Sequence, residues 1–165
     1  MSMESSALDL LLRMIEQAYH KKAWHGPNLR GAIRRVDVAT AAWRPAPGRH
    51  NIWENVVHAA YWKYAVRRRL LGEKRGSFPL KGSNWFPRPD NAAGTDWEDD
   101  VALLDQQHKD LCAAVANLHP SDLPVTPQGS KVSNLDLLWG IAAHDVYHAG
   151  QIQLLKRLAA REMAR

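Results

Sequence analysis

Only one cysteine, Cys112, occurs in the 165 residues, which excludes an internal disulfide framework and leads us to expect a reducing, cytoplasmic setting. Its surroundings, LCAAVANL, are apolar, so it reads as a small core residue rather than a nucleophile. No apolar run approaches the length that a bilayer-crossing helix needs, and no membrane association is expected. The first residues, MSMESSALDLLLRMIEQ, carry acids where a secretion signal carries bases, so no targeting segment is read there. Strand-like alternation of useful length, internal repeats and a second-domain boundary are missing too. A single domain over residues 1–165 is expected.

A basic stripe is also lacking, although the net charge is +5 and the isoelectric point near 9.6. The cations are scattered as Lys21 and Lys22, Arg34 and Arg35, Arg67 to Arg69, and Lys156 and Arg157. Three successive arginines on a helix splay around its circumference. These charges therefore read as solvated faces, and nucleic acid is disfavoured as a partner.

Four long segments with helical spacing are present. The first runs from about Ser6 to Lys22, with Leu8, Leu11, Leu12, Ile15 and Tyr19 on one side and a Ser6/Asp9 pair suited to its start. Asn28 to Val36 reads as one or two short helical turns, closed by the Pro/Gly stretch RPAPGRH. A second helix starts at Asn51, with Glu54 as reciprocal cap, and reaches Leu71 before Gly72. The segment from Glu73 to Gly94 is rich in Pro and Gly, yet its Phe78, Trp85 and Phe86 are expected to fold back onto the helices. A third helix covers about Thr95 to Leu118, with Val101, Leu104, His108, Leu111, Val115 and Leu118 on its apolar face. The fourth runs from about Asn134 to Arg161. An all-α fold, a four-helix up-and-down bundle with long connecting loops, is the most economical arrangement.

His144 and His148, in HDVYHAG, stand four positions apart on the fourth helix. That step returns a side chain to nearly the same face, roughly 40° round and about 6 Å along the axis. Leu137, Ile141, Gln151 and Leu155 share the face, which directs the imidazoles inward. His58 on the second helix shares a face with Glu54 and Tyr61. Three imidazoles from two helices would fill three positions of a divalent cation and leave others open, as in catalytic metal sites. The alternative is three core histidines, each separately hydrogen-bonded. A metalloprotease H-E-x-x-H is rejected, because Asp145 follows the first histidine. Asp145 reads as a support for the site or as exposed.

Glu54 either orients a water at the site or completes the helix cap, and the two roles are compatible. His108 either donates a further ligand or is a satisfied core histidine. Gln151 reads as an amide that holds a ligand or water beside the site. His50 and His25 either approach the open end of the bundle or lie at the surface, the favoured reading, and Tyr61, Tyr147 and the tryptophans are read as packing. Three imidazoles do not single out one metal, since Zn, Ni, Fe, Mn and Co all accept nitrogen ligands; Zn or Ni is expected first.

The runs GRHNIWENVVHAAYW, LLWGIAAHDVYHAGQIQLLKRL and AWHGPNLRGAI together resemble the DinB-like (YfiT-like) superfamily of bacterial metal-binding four-helix bundles. The resemblance covers nearly the whole chain. It implies a divalent metal on His58, His144 and His148, and a homodimer. It also implies an activity of the kind found in some members, thiol S-transfer with a low-molecular-weight thiol as the small-molecule substrate. Hydrolysis at the open metal position, and a non-catalytic metal-binding stress-response module, are the alternatives.

Overall fold

Asn51 closes the start of the helix that carries His58. Its side chain accepts from the Glu54 amide at 2.8 Å, and the Glu54 carboxylate accepts in return from the Asn51 amide at 3.4 Å. This reciprocal box satisfies two of the amides that every helix start leaves without partners. The same device at Ser133 and Asp136 starts the helix that carries His144 and His148. Helix ends thus fall where the capping residues place them.

A computed structural model describes residues 3–89 and 94–164, with the backbone alone for residues 3–6. Among the described residues all regular structure is helical: α1 (Met3–Tyr19), α2 (Leu29–Ala32), α3 (Val38–Ala42), α4 (Ile52–Leu70), α5 (Gly94–Ala116) and α6 (Asn134–Met163), with a 3-10 turn at Pro120–Asp122. The four long segments predicted from spacing correspond to α1, α4, α5 and α6. Both ends of α1 differ by three residues, and the other long helices agree within two. α1 already includes Ser6, so Ser6 is not its cap; extending an existing helix upstream adds a hydrogen bond per residue at little cost. It also stops at Tyr19, before Lys22, where the His20 and Lys21 amides both donate to the Glu16 carbonyl at 2.9 and 2.8 Å and close the last turn; the Asn28 side chain donates to the Lys21 carbonyl at 2.9 Å. Part of the 73–94 connection, residues 90–93, lies outside the described residues.

α4 packs against both α5 and α6, and α1 packs against the same two. Two apolar clusters fill the interior. One gathers Ile52, Trp53, Val56 and Val57 of α4 with Ile152 and Leu155 of α6. The other gathers Leu11 and Ile15 of α1 with Leu111 of α5 and Leu138 and Ile141 of α6. The first takes the beginning of α4 and the end of α6, so these two helices run antiparallel. Between the clusters lies a polar layer in which Lys63 of α4 is paired with Asp145 of α6, both side chains fully buried. Asp145 is therefore neither exposed nor turned toward the histidines. It is the buried counter-charge of a lysine.

The long connection does fold back. Phe78 and Phe86 pack on Tyr61 with ring centroids 5.3 and 5.4 Å away, and Trp85 lies over His58. Among the described residues no helix is long and apolar enough to cross a membrane.

Candidate metal centre

The antiparallel pairing of α4 with α6 sets His58 opposite His144 and His148. The Nε2 atom of His144 lies 3.1 Å from that of His58 and 3.2 Å from that of His148. Two donors at about 2.05 Å from a tetrahedral ion are about 3.3 Å apart, so the spacing suits ligation.

The far side of each ring decides what the near side presents. His58 Nδ1–H donates to the Asn84 carbonyl at 2.8 Å. Asn84 adopts a left-handed backbone (φ 67°), which asparagine tolerates better than most residues, and its side chain accepts from the Trp62 indole at 3.0 Å. His148 Nδ1–H donates to Asn55 Oδ1 at 2.8 Å. The Asn55 amide is oriented by its own donation to the Asn51 carbonyl at 2.7 Å, so its oxygen must face the imidazole. With Nδ1 protonated, Nε2 of both neutral rings carries a lone pair. His144 Nδ1 has no hydrogen-bond partner, and its Nε2 faces the other two. Three basic nitrogens crowded together favour a shared cation.

Burial keeps these rings neutral. It pushes His144 down to about 3, with His148, His58 and Lys63 adding to the fall. Burial likewise takes His148 to about 4, aided by His58, while the Gln151 amide pulls the other way. His58 is held below its ordinary value by burial, against the pull of the Asn84 carbonyl. Unprotonated imidazole is the form that ligates metal.

Among the described residues no fourth His, Cys, Asp or Glu joins this group. Glu54 is committed elsewhere: Arg44 donates to its two oxygens at 2.9 and 2.6 Å, and His50 Nδ1 lies 3.0 Å away. The structure thus places it in the helix cap and in an ion pair with Arg44. His108 on α5 stands apart from the triad, stacked on Tyr19 at 3.8 Å. Gln151 neighbours His148 and donates to the Tyr147 hydroxyl at 3.1 Å. His25 is exposed. His50 is exposed too, and it also stacks on Trp85 at 3.6 Å, with Trp85 on His58 at 3.9 Å, forming a three-ring sandwich at the site.

Asn55, Asn84 and Trp85 are the functional neighbours that sequence reasoning missed. Asn55 had a legible signal, since it is a polar residue three positions before His58 in the otherwise apolar first half of the helix, between the Glu54 cap and His58. Replacing Asn55 with alanine should weaken metal affinity about 10–100-fold, the usual cost of losing a support behind a ligating histidine. Isothermal titration with Zn or Ni reads this directly, and unchanged affinity would deny Asn55 that part.

Glu54 also makes stability pH-dependent. Burial pushes its carboxyl up, but hydrogen bonds from Arg44 and His50 outweigh this and leave it below the ordinary value of 4.5. A depressed carboxylate contributes stability that is complete above its unfolded pKa and is lost as pH falls through its folded one. The wild type should therefore lose more stability than Glu54→Gln on acidification below about pH 4.5. Denaturant midpoints against pH would measure the difference, and parallel curves would count against it.

An all-helical protein with an inward-facing cluster of three histidines fits a metal-binding protein. A family model described as the DinB superfamily matches residues 23–152, and the chain belongs to that superfamily. No curated protein and no solved structure gives a significant match.

Proposed function

We propose that the protein is a metal-dependent enzyme of the DinB-like type that activates a small thiol for transfer to an electrophile, with His58, His144 and His148 holding one divalent ion, Zn or Ni in first place. The observation that carries this reading is the set of three Nε2 atoms at 3.1 and 3.2 Å, with no fourth charged or sulfur donor among the described residues. Structural zinc sites are closed by four protein ligands, and catalytic ones keep a position open. When bound, the ion supplies Lewis acidity that lowers the pKa of a thiol or water at that open position. Three neutral imidazoles leave the ion's charge uncompensated, which favours an anionic incoming group. Hydrolysis is the second reading. It would be helped by a nearby carboxylate base, and Glu54, the nearest candidate by sequence, is held by Arg44.

A cleft of about 440 Å³ adjoins the cluster, bordered by Arg49, His50, Asn55, Trp85, Gln151 and Leu154. Arg49 suits a carboxylate on the incoming molecule, and Trp85 and Leu154 suit its apolar part. A homodimer belongs to the same proposal. Away from that cleft, α6 exposes Leu135, Trp139, Val146, Tyr147 and Leu158, apolar surface that a second copy would cover. The deciding experiment is a screen of low-molecular-weight thiols with electrophiles, using apo and metal-loaded protein. Turnover should vanish on chelation and return with the ion. Activity indifferent to the ion would remove it from the mechanism, and a metal-loaded protein inert with every thiol would favour the non-catalytic module.

A further inference from the structure

A second group of ligating side chains lies away from the histidine triad, where the end of α1 meets α5. It is built from two pairs of residues one helical turn apart. Glu16 and His20 place Oε2 and Nε2 3.4 Å apart. His108 and Cys112 place Nε2 and Sγ 3.4 Å apart. Ligand atoms of Glu16, His20 and His108 all lie within 4.8 Å of one another. Cys112 stands beside this group, its Sγ against His108, but outside the mutually close set; burial pushes its thiol up to about 12, and the adjoining Glu16 carboxylate adds to the rise.

Bond lengths of about 2.0–2.1 Å to nitrogen or oxygen and 2.3 Å to sulfur put tetrahedral ligands about 3.3 to 3.6 Å apart. Each pair already stands near that separation. The group is also poorly satisfied without a cation. Glu16 Oε2 is buried and has no hydrogen-bond partner, although His20 Nε2 and Lys21 Nζ stand at 3.4 and 3.5 Å. His108 is 5% exposed, its Nδ1 has no partner, and its Nε2 meets only the weak acceptor sulfur. A buried imidazole held by nothing stronger than a thiol is costly. Lys21 is largely exposed and can swing off at small cost, while His20, about half exposed, lies on the side from which an ion would enter.

We propose that Glu16, His20 and His108 form a second divalent-cation site that ties the end of α1 to α5, and that the bound ion draws in the neighbouring Cys112 sulfur as fourth donor, which closes the site and makes it structural. The mixed oxygen, nitrogen and sulfur donor set suits zinc. Binding releases the thiol proton to solvent as the sulfur coordinates, with no change of oxidation state.

Cobalt(II) is the probe, because coordination by a thiolate gives a sulfur-to-cobalt charge-transfer absorption that imidazoles alone do not. The wild-type chain should take up two equivalents and show that band. Cys112→Ser should lose the band yet keep the equivalent held by the triad, whereas His144→Ala should keep the band and lose the other equivalent. His20→Ala, a change at a half-exposed position, should shift the band to higher cobalt concentration. Cobalt-loaded wild type without the band, a band that survives in Cys112→Ser, or one that titrates unchanged in His20→Ala would each overturn the proposal. Failure of the triad would instead appear as a missing equivalent with the band intact.

Discussion

Alanine at His58 should abolish stoichiometric metal binding between α4 and α6 and leave the helices folded. His58 is the only donor of the triad that α4 supplies, so its loss leaves two imidazoles on one face of α6. Two neutral donors one turn apart hold a divalent ion far more weakly than three. The cleanest measurement uses a Cys112→Ser background, in which the triad is titrated alone with Zn or Ni. A ligand at one hundred times its Kd stabilises the folded chain by about 2.7 kcal/mol, and that increment should disappear in His58→Ala. Unchanged affinity, or a metal-induced rise in Tm equal to that of the parent, would refute the ligand assignment.

The second large effect concerns Lys63 and Asp145. Removing one partner of a buried ion pair strands the other, at a cost of about 3–5 kcal/mol. Lys63→Met should therefore lower the denaturant midpoint sharply. The double change Lys63→Met with Asp145→Leu should recover most of the loss, since apolar replacement of both partners is often neutral or stabilising. Burial already pushes the Asp145 carboxyl up, with Lys63 opposing it, and removing Lys63 takes that opposition away. A carboxyl whose folded pKa is raised costs stability as pH rises, so acidification should restore part of what Lys63→Met loses. A single variant as stable as the parent, or a double variant worse than the single, would show that the pair does not behave as a buried ion pair. Lys63 also helps depress both His144 and His108, so the exchange should be felt at both clusters.

The parts legible in the sequence are those governed by local rules. A four-residue step on a helix places His144 and His148 together whatever surrounds them. The Asn51/Glu54 box marks a helix start because capping is decided within four residues. Features that depend on chain path were not legible. Lys63 and Asp145 are 82 positions apart, and neither shows the spacing of a pair. Asn84 and Trp85 sit in an irregular connection, where a backbone carbonyl and an indole face reach His58 only after the loop has packed on Tyr61. Glu54 was ambiguous because its partner Arg44 comes from the stretch before α4, whose course no periodicity encodes. His108 looked like a possible reinforcement of the triad only because helical spacing tells which face a residue occupies, not how far along the bundle that face meets another.

Two rings of the triad are bolted at their outer nitrogen, one to a backbone carbonyl and one to an amide oxygen. The His144 ring has no such bolt, and it is the most open of the three. Loading and unloading should accordingly begin with this ring pivoting about its own side-chain bonds, so exchange speed and tightness of grip become separately adjustable. An acceptor engineered behind His144 would slow departure of the ion without altering which atoms grasp it.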